Sequence, residues 1–216
     1  ENMITNAHLG IPRKHWWSFA HAWIVTRLII PFAHAVVIPS FFFPKLKNKR
    51  ALYCGPVIRP EVRKLVPRRG NRVLVYQTSS SNAVLLAVLK KFPRQKFVVY
   101  GFQKKGIENN MIFKQFSEQE FFNDLASAKA VIANGGFSLL SEAVFLRKPV
   151  LSIPIRGQCE QLINALYLER LGYGLMAERA PPAVIGRFLR FRREALKERP
   201  RWSDPLRTID GVLHAA

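Results

Sequence analysis

From Asn71 onward the chain alternates between two hydrophobic periods. Short β-rich apolar runs lie at Arg72–Gln77, Phe97–Tyr100, Ile112–Phe116, Ala130–Ala133 and Val150–Ile153. The segments between several of them repeat apolar residues at helical spacing. Asn82 is placed to cap a helix through Leu89, and Ser117 with Glu120 forms a capping box for a helix through Ala126. Further helices are predicted from about Ser138 to Leu146 and over Glu160–Leu171. Gly172 and Gly174 bracket a turn, and Pro181 and Pro182 open a last helix. Strand–helix alternation with short connections predicts an α/β fold, a Rossmann-like parallel sheet with helices on both faces. Ligands of such sheets bind beyond the carboxyl ends of the strands. Three polar loops fall at that edge: Thr78–Asn82, Asn134–Ser138 and Ile155–Gln161.

The first third of the chain is different. Trp16–Phe43 is strongly apolar, yet Arg27 sits in its middle and Pro31 and Pro39 interrupt it. No uninterrupted run reaches the roughly 20 residues of a membrane span. It reads instead as a helix, Trp16–Ile30, and a strand, Ala35–Ile38. Residues 1–54 form an N-terminal piece, and 55–71, with Pro56, Pro60 and Pro67, form a linker. Residues 72–186 are the regular α/β domain, and 187–216 a basic helix and tail. The chain opens at Glu1 with no secretory signal pattern, inside what reads as a folded segment.

Composition sharpens this. The 216 residues are 49% hydrophobic with a mean hydropathy of zero, which supports a core and excludes disorder. A net charge of +20 calls for an anionic partner. Residues 1–72 hold 13 Lys/Arg against 2 acids, whereas 73–186 hold 13 against 8. A basic cluster from Lys45 to Arg72 thus follows an apolar, aromatic stretch, a pairing suited to an anionic membrane surface; a solvated basic linker is the plainer alternative. Cys54 and Cys159 lie far apart, so a disulfide framework and a Cys-based zinc site are excluded and a reducing compartment is the default.

The most informative stretch is Asn134-Gly-Gly-Phe-Ser-Leu-Leu-Ser-Glu-Ala143. Two glycines after a buried strand let backbone approach a ligand, and free N–H groups at a helix start favour a diphosphate. Ser138 offers a hydroxyl there, and Glu142, one turn on, is placed to accept two ribose hydroxyls. A tight βα turn with Ser138 as a cap and Glu142 as a solvated helix residue accounts for the same letters. Next comes Lys148-Pro149-Val-Leu-Ser-Ile-Pro154, then Glu160-Gln161-x-x-Asn164-Ala165. A carboxylate beside an amide at a strand–helix corner suits vicinal sugar hydroxyls, while Asn164 reads as a loop tie.

Together these motifs, ending in Leu171-Gly-Tyr-Gly174, resemble the donor-binding half of GT-B glycosyltransferases. The likeness is to enzymes using UDP-sugars: UDP-glucuronosyltransferases, the peptidoglycan N-acetylglucosaminyltransferase and the galactolipid synthases. It covers residues 72–176. The resemblance implies that Gly135, Gly136 and Ser138 form the diphosphate turn, with Asn134 where many relatives carry His. It implies Glu142 as the ribose carboxylate, Glu160 and Gln161 as donor-sugar contacts, and Phe116 beside the uracil. Thr78 and Ser79 fall on the first phosphate-side loop. Arg147 replaces a common Gly, and the Glu-Gln pair sits two residues further from Pro154 than in the glucuronosyltransferases. Residues 1–70, with Gly55-Pro56-Val-Ile-Arg59, resemble the end of the acceptor domain and the interdomain connection.

The implied activity is inverting transfer of a sugar from a UDP-sugar to a lipid-linked or cell-envelope glycan acceptor. The implied place is peripheral, on the inner, cytoplasmic face of the membrane. No cofactor or metal is expected, because helix N–H groups take the charge of departing UDP. The catalytic base is unassigned; His8, His15, His21 and His34 read as structural. Alternatives are a UDP-GlcNAc 2-epimerase, a donor-binding subunit or inactive truncated copy, and a nucleic-acid-binding protein. The epimerase segment after the next strand is replaced here by Arg156-Gly-Gln-Cys-Glu-Gln161, and no nucleic-acid-binding motif is present.

Overall fold

A computed structural model describes residues 2–29, 35–78, 83–191 and 200–214. The α/β domain is built on a seven-stranded sheet. Its strands are β3 (Val73–Tyr76), β4 (Phe97–Tyr100), β5 (Gly106–Glu108), β6 (Met111–Phe113), β7 (Ala130–Ala133), β8 (Val150–Ser152) and β9 (Gly174–Met176). They lie in the order β5-β6-β4-β3-β7-β8-β9, all parallel except the edge strand β5. From β3 the chain winds outward through β4 to β6, then crosses back to β7 and winds the other way. The switch point therefore lies between β3 and β7, where a doubly wound sheet opens a crevice at its carboxyl edge.

Side chains alternate across this sheet, so each face builds its own core. Leu74, Val98, Val131 and Val150 point to one side, with α5 (Glu118–Ser127) and α6 (Phe137–Phe145). Val73, Val75, Phe97, Val99, Ile132 and Leu151 point to the other, with α4 (Ala83–Leu89) and α8 (Pro182–Leu189). Helix α7 (Cys159–Arg170) packs on β9. The expected strand Ile112–Phe116 is shorter and earlier, Met111–Phe113, so Phe116 lies on the loop beyond it. The turn expected between Gly172 and Gly174 is present, with Gly172 at φ 70°, and it leads directly into β9, a strand the apolar runs do not predict. A Cβ on Gly174 would stand 1.8 Å from the Val150 carbonyl oxygen, so only glycine lets the strands pair there. Arg147 has φ 57°, in the left-handed region glycine favours. Asn82 and the tail residues 192–199 lie outside the described residues.

The N-terminal piece contains α1 (Asn2–Asn6), α2 (Trp16–Ile29) and a two-stranded parallel sheet of β1 (Val36–Pro39) and β2 (Ala51–Cys54). No described helix is long and apolar enough to cross a membrane. The stretch read as a linker is packed and ordered. It holds α3 (Pro60–Arg63), buries Ile58 and Val62, and donates the Arg68 N–H to the Ala126 carbonyl. The chain end returns to the N-terminal piece: the Gly55 N–H donates to the Ser203 carbonyl, and α9 (Pro205–His214) lies against β1.

Lys148, fully buried, fastens linker to sheet. Its ammonium donates to the carbonyls of Arg68 (2.6 Å) and Ala128 (2.8 Å). Lys148→Met removes both bonds and strands two carbonyls, so urea unfolding should show a loss of roughly 2 kcal/mol or more. A loss below about 0.5 kcal/mol would mean that water reaches those carbonyls instead.

Candidate functional site

The site is assembled at the switch point. Asn134, the residue immediately after β7, donates from Nδ2 to Thr78 Oγ1 on the loop after β3, at 3.0 Å. Its carbonyl accepts the Ser152 hydroxyl from β8, also at 3.0 Å. Three neighbouring strand ends are thereby joined by one buried asparagine. Ser79 lies outside the described residues.

The two glycines that follow do different work. Gly135 is buried, and a Cβ there would stand 2.2 Å from the Gln161 carbonyl oxygen. Its carbonyl accepts the Asn164 amide at 3.0 Å, the tie expected for that residue. Its N–H donates to Gln161 Oε1 at 3.2 Å, and the Ile155 N–H donates to the same oxygen at 3.0 Å. Gln161 is therefore a brace between two loops, and its oxygen is occupied rather than offered to a ligand. Gly136, by contrast, is exposed, and a Cβ on it would meet nothing within 4 Å.

Gly136 rather than Ser138 occupies the N-cap of α6, with φ −63° and ψ 126°, and no side chain caps the helix. The N–H groups of that first turn thus open beside empty space, with the exposed Ser138 among them. The turn is rigid on the Gly135 side and vacant on the Gly136 side. A phosphate oxygen fits such a corner because it accepts several N–H bonds at once.

Glu142 departs from its expected setting. It is 1% exposed, neither solvated nor open to the crevice. Arg59 grips it through a fork, Nε–Oε1 and Nη2–Oε2, both 2.7 Å. The guanidinium also reaches Glu118 at 3.1 Å and covers the Phe122 ring at 4.4 Å. The Glu142 hydrogen bonds are the first cause that holds the Arg59 pKa above its usual value, with burial opposing. No sequence motif signals this pair, because its members are 83 residues apart.

Phe116 is 58% exposed and tilts against Phe121 and Tyr76, leaving an uncovered ring on the β6 side of the switch point. Glu160 is exposed at the start of α7. It lines a pocket of roughly 200 Å3 between the N-terminal piece and the domain, together with Phe137, Asn164, Ile38 and Phe42. The described residues hold no group of three or more metal-ligating side chains. Of the expected set, Thr78, Asn134, Gly135, Gly136 and Ser138 meet at one corner, and Glu160 and Gln161 border it. Phe116 stands apart on the far side, and Glu142 lies beneath, held by Arg59.

This arrangement has counterparts. Residues 1–191 match the family model for glycosyl transferase family 1. An uncharacterized glycosyltransferase of Methanosarcina acetivorans is 30% identical over 67% of this chain and 41% of its own length. The UDP-N-acetylglucosamine–N-acetylmuramyl-(pentapeptide) pyrophosphoryl-undecaprenol N-acetylglucosamine transferase of Geobacillus thermodenitrificans is 27% identical over 94% of this chain and 66% of its own length. The chain thus spans about two-fifths to two-thirds of these relatives. Among solved structures, the calicheamicin glycosyltransferase CalG4 superposes with a TM-score of 0.61 over 93% of this chain and 57% of its own, at 18% identity. Phytolacca americana UGT2, complexed with UDP-2fluoro-glucose and pterostilbene, gives 0.62 over 92% and 56%, at 14% identity. These two share the GT-B fold. With a doubly wound sheet, an open glycine corner at its switch point and a family match over most of its length, the chain belongs to glycosyl transferase family 1.

Proposed function

We propose that this chain carries the donor site of an inverting, metal-independent glycosyltransferase using a UDP-sugar. The sugar goes to a lipid-linked or cell-envelope acceptor at an anionic membrane surface, on its cytoplasmic face. The observation that carries the donor half is the asymmetric corner: Gly135 locked against Gln161, Gly136 facing space, and an uncapped α6 behind it. The α6 N–H groups stabilise the leaving diphosphate, and Glu160 faces the sugar from the cleft. The uncovered Phe116 ring is a surface for the uracil. The lipid-linked acceptor is supported by the Geobacillus relative, whose name specifies a pyrophosphoryl-undecaprenol substrate.

Glu142 remains the ribose ligand in this reading, but only after its oxygens are drawn from Arg59. UDP should then bind more tightly than 2′-deoxy-UDP, and Glu142→Gln should erase most of that difference, about tenfold for one charge-assisted hydrogen bond. Calorimetry checks both. An unchanged preference in the variant would leave Glu142 as a purely structural partner of Arg59. Selectivity for the base is tested alongside: UDP binds, ADP and GDP bind at least about tenfold less tightly. Equal, negligible binding of all three would remove the donor assignment.

The membrane part rests on charge and exposure. Trp17 is 90% and Leu28 74% exposed on α2, within the strongly basic first third of the chain. Co-sedimentation should rise with the anionic fraction of phosphatidylglycerol/phosphatidylcholine vesicles and fall with salt. Indifference to anionic lipid at low salt would overturn it.

A further inference from the structure

A second concavity lies at the carboxyl edge, beyond β8 and β9 and away from the switch point. It measures roughly 470 Å3 and is walled by the loop Pro154–Cys159, by Glu178 and Arg179 after β9, and by Lys14 and His15 of the N-terminal piece. Its charge is lopsided. Lys14, Arg156 and Arg179 face a single acid, Glu178.

That acid is already engaged. Lys14 Nζ donates to Glu178 Oε1, and this bond leads the causes holding the carboxyl below its usual range, followed by the charges of Lys14, His15 and Arg179. His15 Nε2 lies 3.4 Å from the same oxygen, shielded from water and without a hydrogen bond. Arg156 and Arg179 form no ion pair or hydrogen bond among the described residues. Two guanidiniums therefore line a concave wall without a hydrogen-bonded carboxylate: Arg179 acts on Glu178 through its charge alone, and that acid is bonded to Lys14. Guanidinium is suited to the paired oxygens of a phosphate, and a concave cationic wall concentrates anions.

We propose that this pocket is a second anion site, which binds a phosphate or diphosphate group through Arg156 and Arg179. Its walls come from both halves of the chain, and one of them is the loop that Gln161 braces to the donor corner. A ligand here would sit next to the sugar end of a bound donor. This is the place for the phosphate-bearing end of an acceptor, a role that rests on the proposed glycosyl transfer; the anion site itself does not.

The test is calorimetric titration of the chain with inorganic pyrophosphate, UDP being held at saturation so that the glycine corner is filled. Pyrophosphate should bind, and Arg156→Gln and Arg179→Gln should each weaken it about tenfold, the effect of one lost charge-assisted bond, with UDP affinity unchanged. A parallel arm uses phosphatidylglycerol vesicles in place of pyrophosphate. Arginine-dependent binding in that arm alone assigns the site to a lipid headgroup, and in the pyrophosphate arm to a soluble or linker diphosphate. Binding in neither arm, or binding that both variants leave intact, overturns the proposal. Failure of the donor reading shows separately, as absence of UDP binding; pyrophosphate is then titrated without UDP, and the same arginine dependence decides. Both arginines are exposed, so unchanged melting temperatures are expected and serve as the folding control.

Discussion

Arg59→Ala should lower the unfolding free energy by about 3 kcal/mol or more, because it strands a carboxylate buried beneath the sheet edge. Glu142 is 1% exposed, and both its oxygens take their close contacts from one guanidinium. The loss is read from urea midpoints at constant slope. A charge-free double variant, Arg59→Met with Glu142→Gln, should recover much of it, since a pair of neutral groups no longer requires solvation. The two substitutions share one contact, so their effects should be strongly non-additive. A single Arg59→Ala cost under about 1 kcal/mol would show that water or Lys side chains reach Glu142 readily.

The second large effect is expected at Gly135. Gly135→Ala drives a methyl group to 2.2 Å from the Gln161 carbonyl oxygen, which belongs to the helix backbone and has no room to withdraw. The turn must shift away from α7, and with it go the Gln161 brace and the Asn164 tie. Overpacking of this kind costs about 1–3 kcal/mol, and the strained corner should lose UDP affinity about a hundredfold or more. Wild-type affinity in Gly135→Ala would mean that the corner tolerates displacement and does not hold the diphosphate.

How far the letters foretell this structure depends on what each element rests on. The inner strands β3, β4, β7 and β8 are legible as apolar runs because both sheet faces are covered and every position but Tyr76, which is half-buried, is buried. The edges are not. Strand β5 is exposed along its length, and β9 is only three residues opening on a glycine, so neither stands out as an apolar run in the sequence. Strand β2 is four residues, Ala-Leu-Tyr-Cys, stabilised by pairing with β1 rather than by local preference.

The site divides along the same line. Gly135 is legible because a tight turn after a buried strand demands glycine, and Asn164 is legible as a loop tie. The Asn134–Thr78 bond spans 56 residues and the Arg59–Glu142 pair 83, distances at which one sequence carries no signal. Glu142 therefore reads as a solvated helix residue or a ribose ligand from its spacing, whereas its burial is set by a linker arginine. Gln161 reads as a sugar contact, yet backbone donors from two loops claim its oxygen. Arg156 and Arg179 reveal their shared cavity only when β8 and β9 are placed side by side.

The central claim is that the vacant side of the glycine corner holds a diphosphate, and Gly136→Ala tests it most directly. The new methyl has nothing within 4 Å and φ of −63° suits alanine, so the fold should lose at most about 1 kcal/mol from the weaker N-cap. Only a ligand seated against the backbone would meet that methyl. Titrated with UDP, the native chain should bind and Gly136→Ala should bind at least about tenfold less tightly, with melting nearly unchanged. Equal UDP affinity in the two proteins, or none in either, would contradict the assignment.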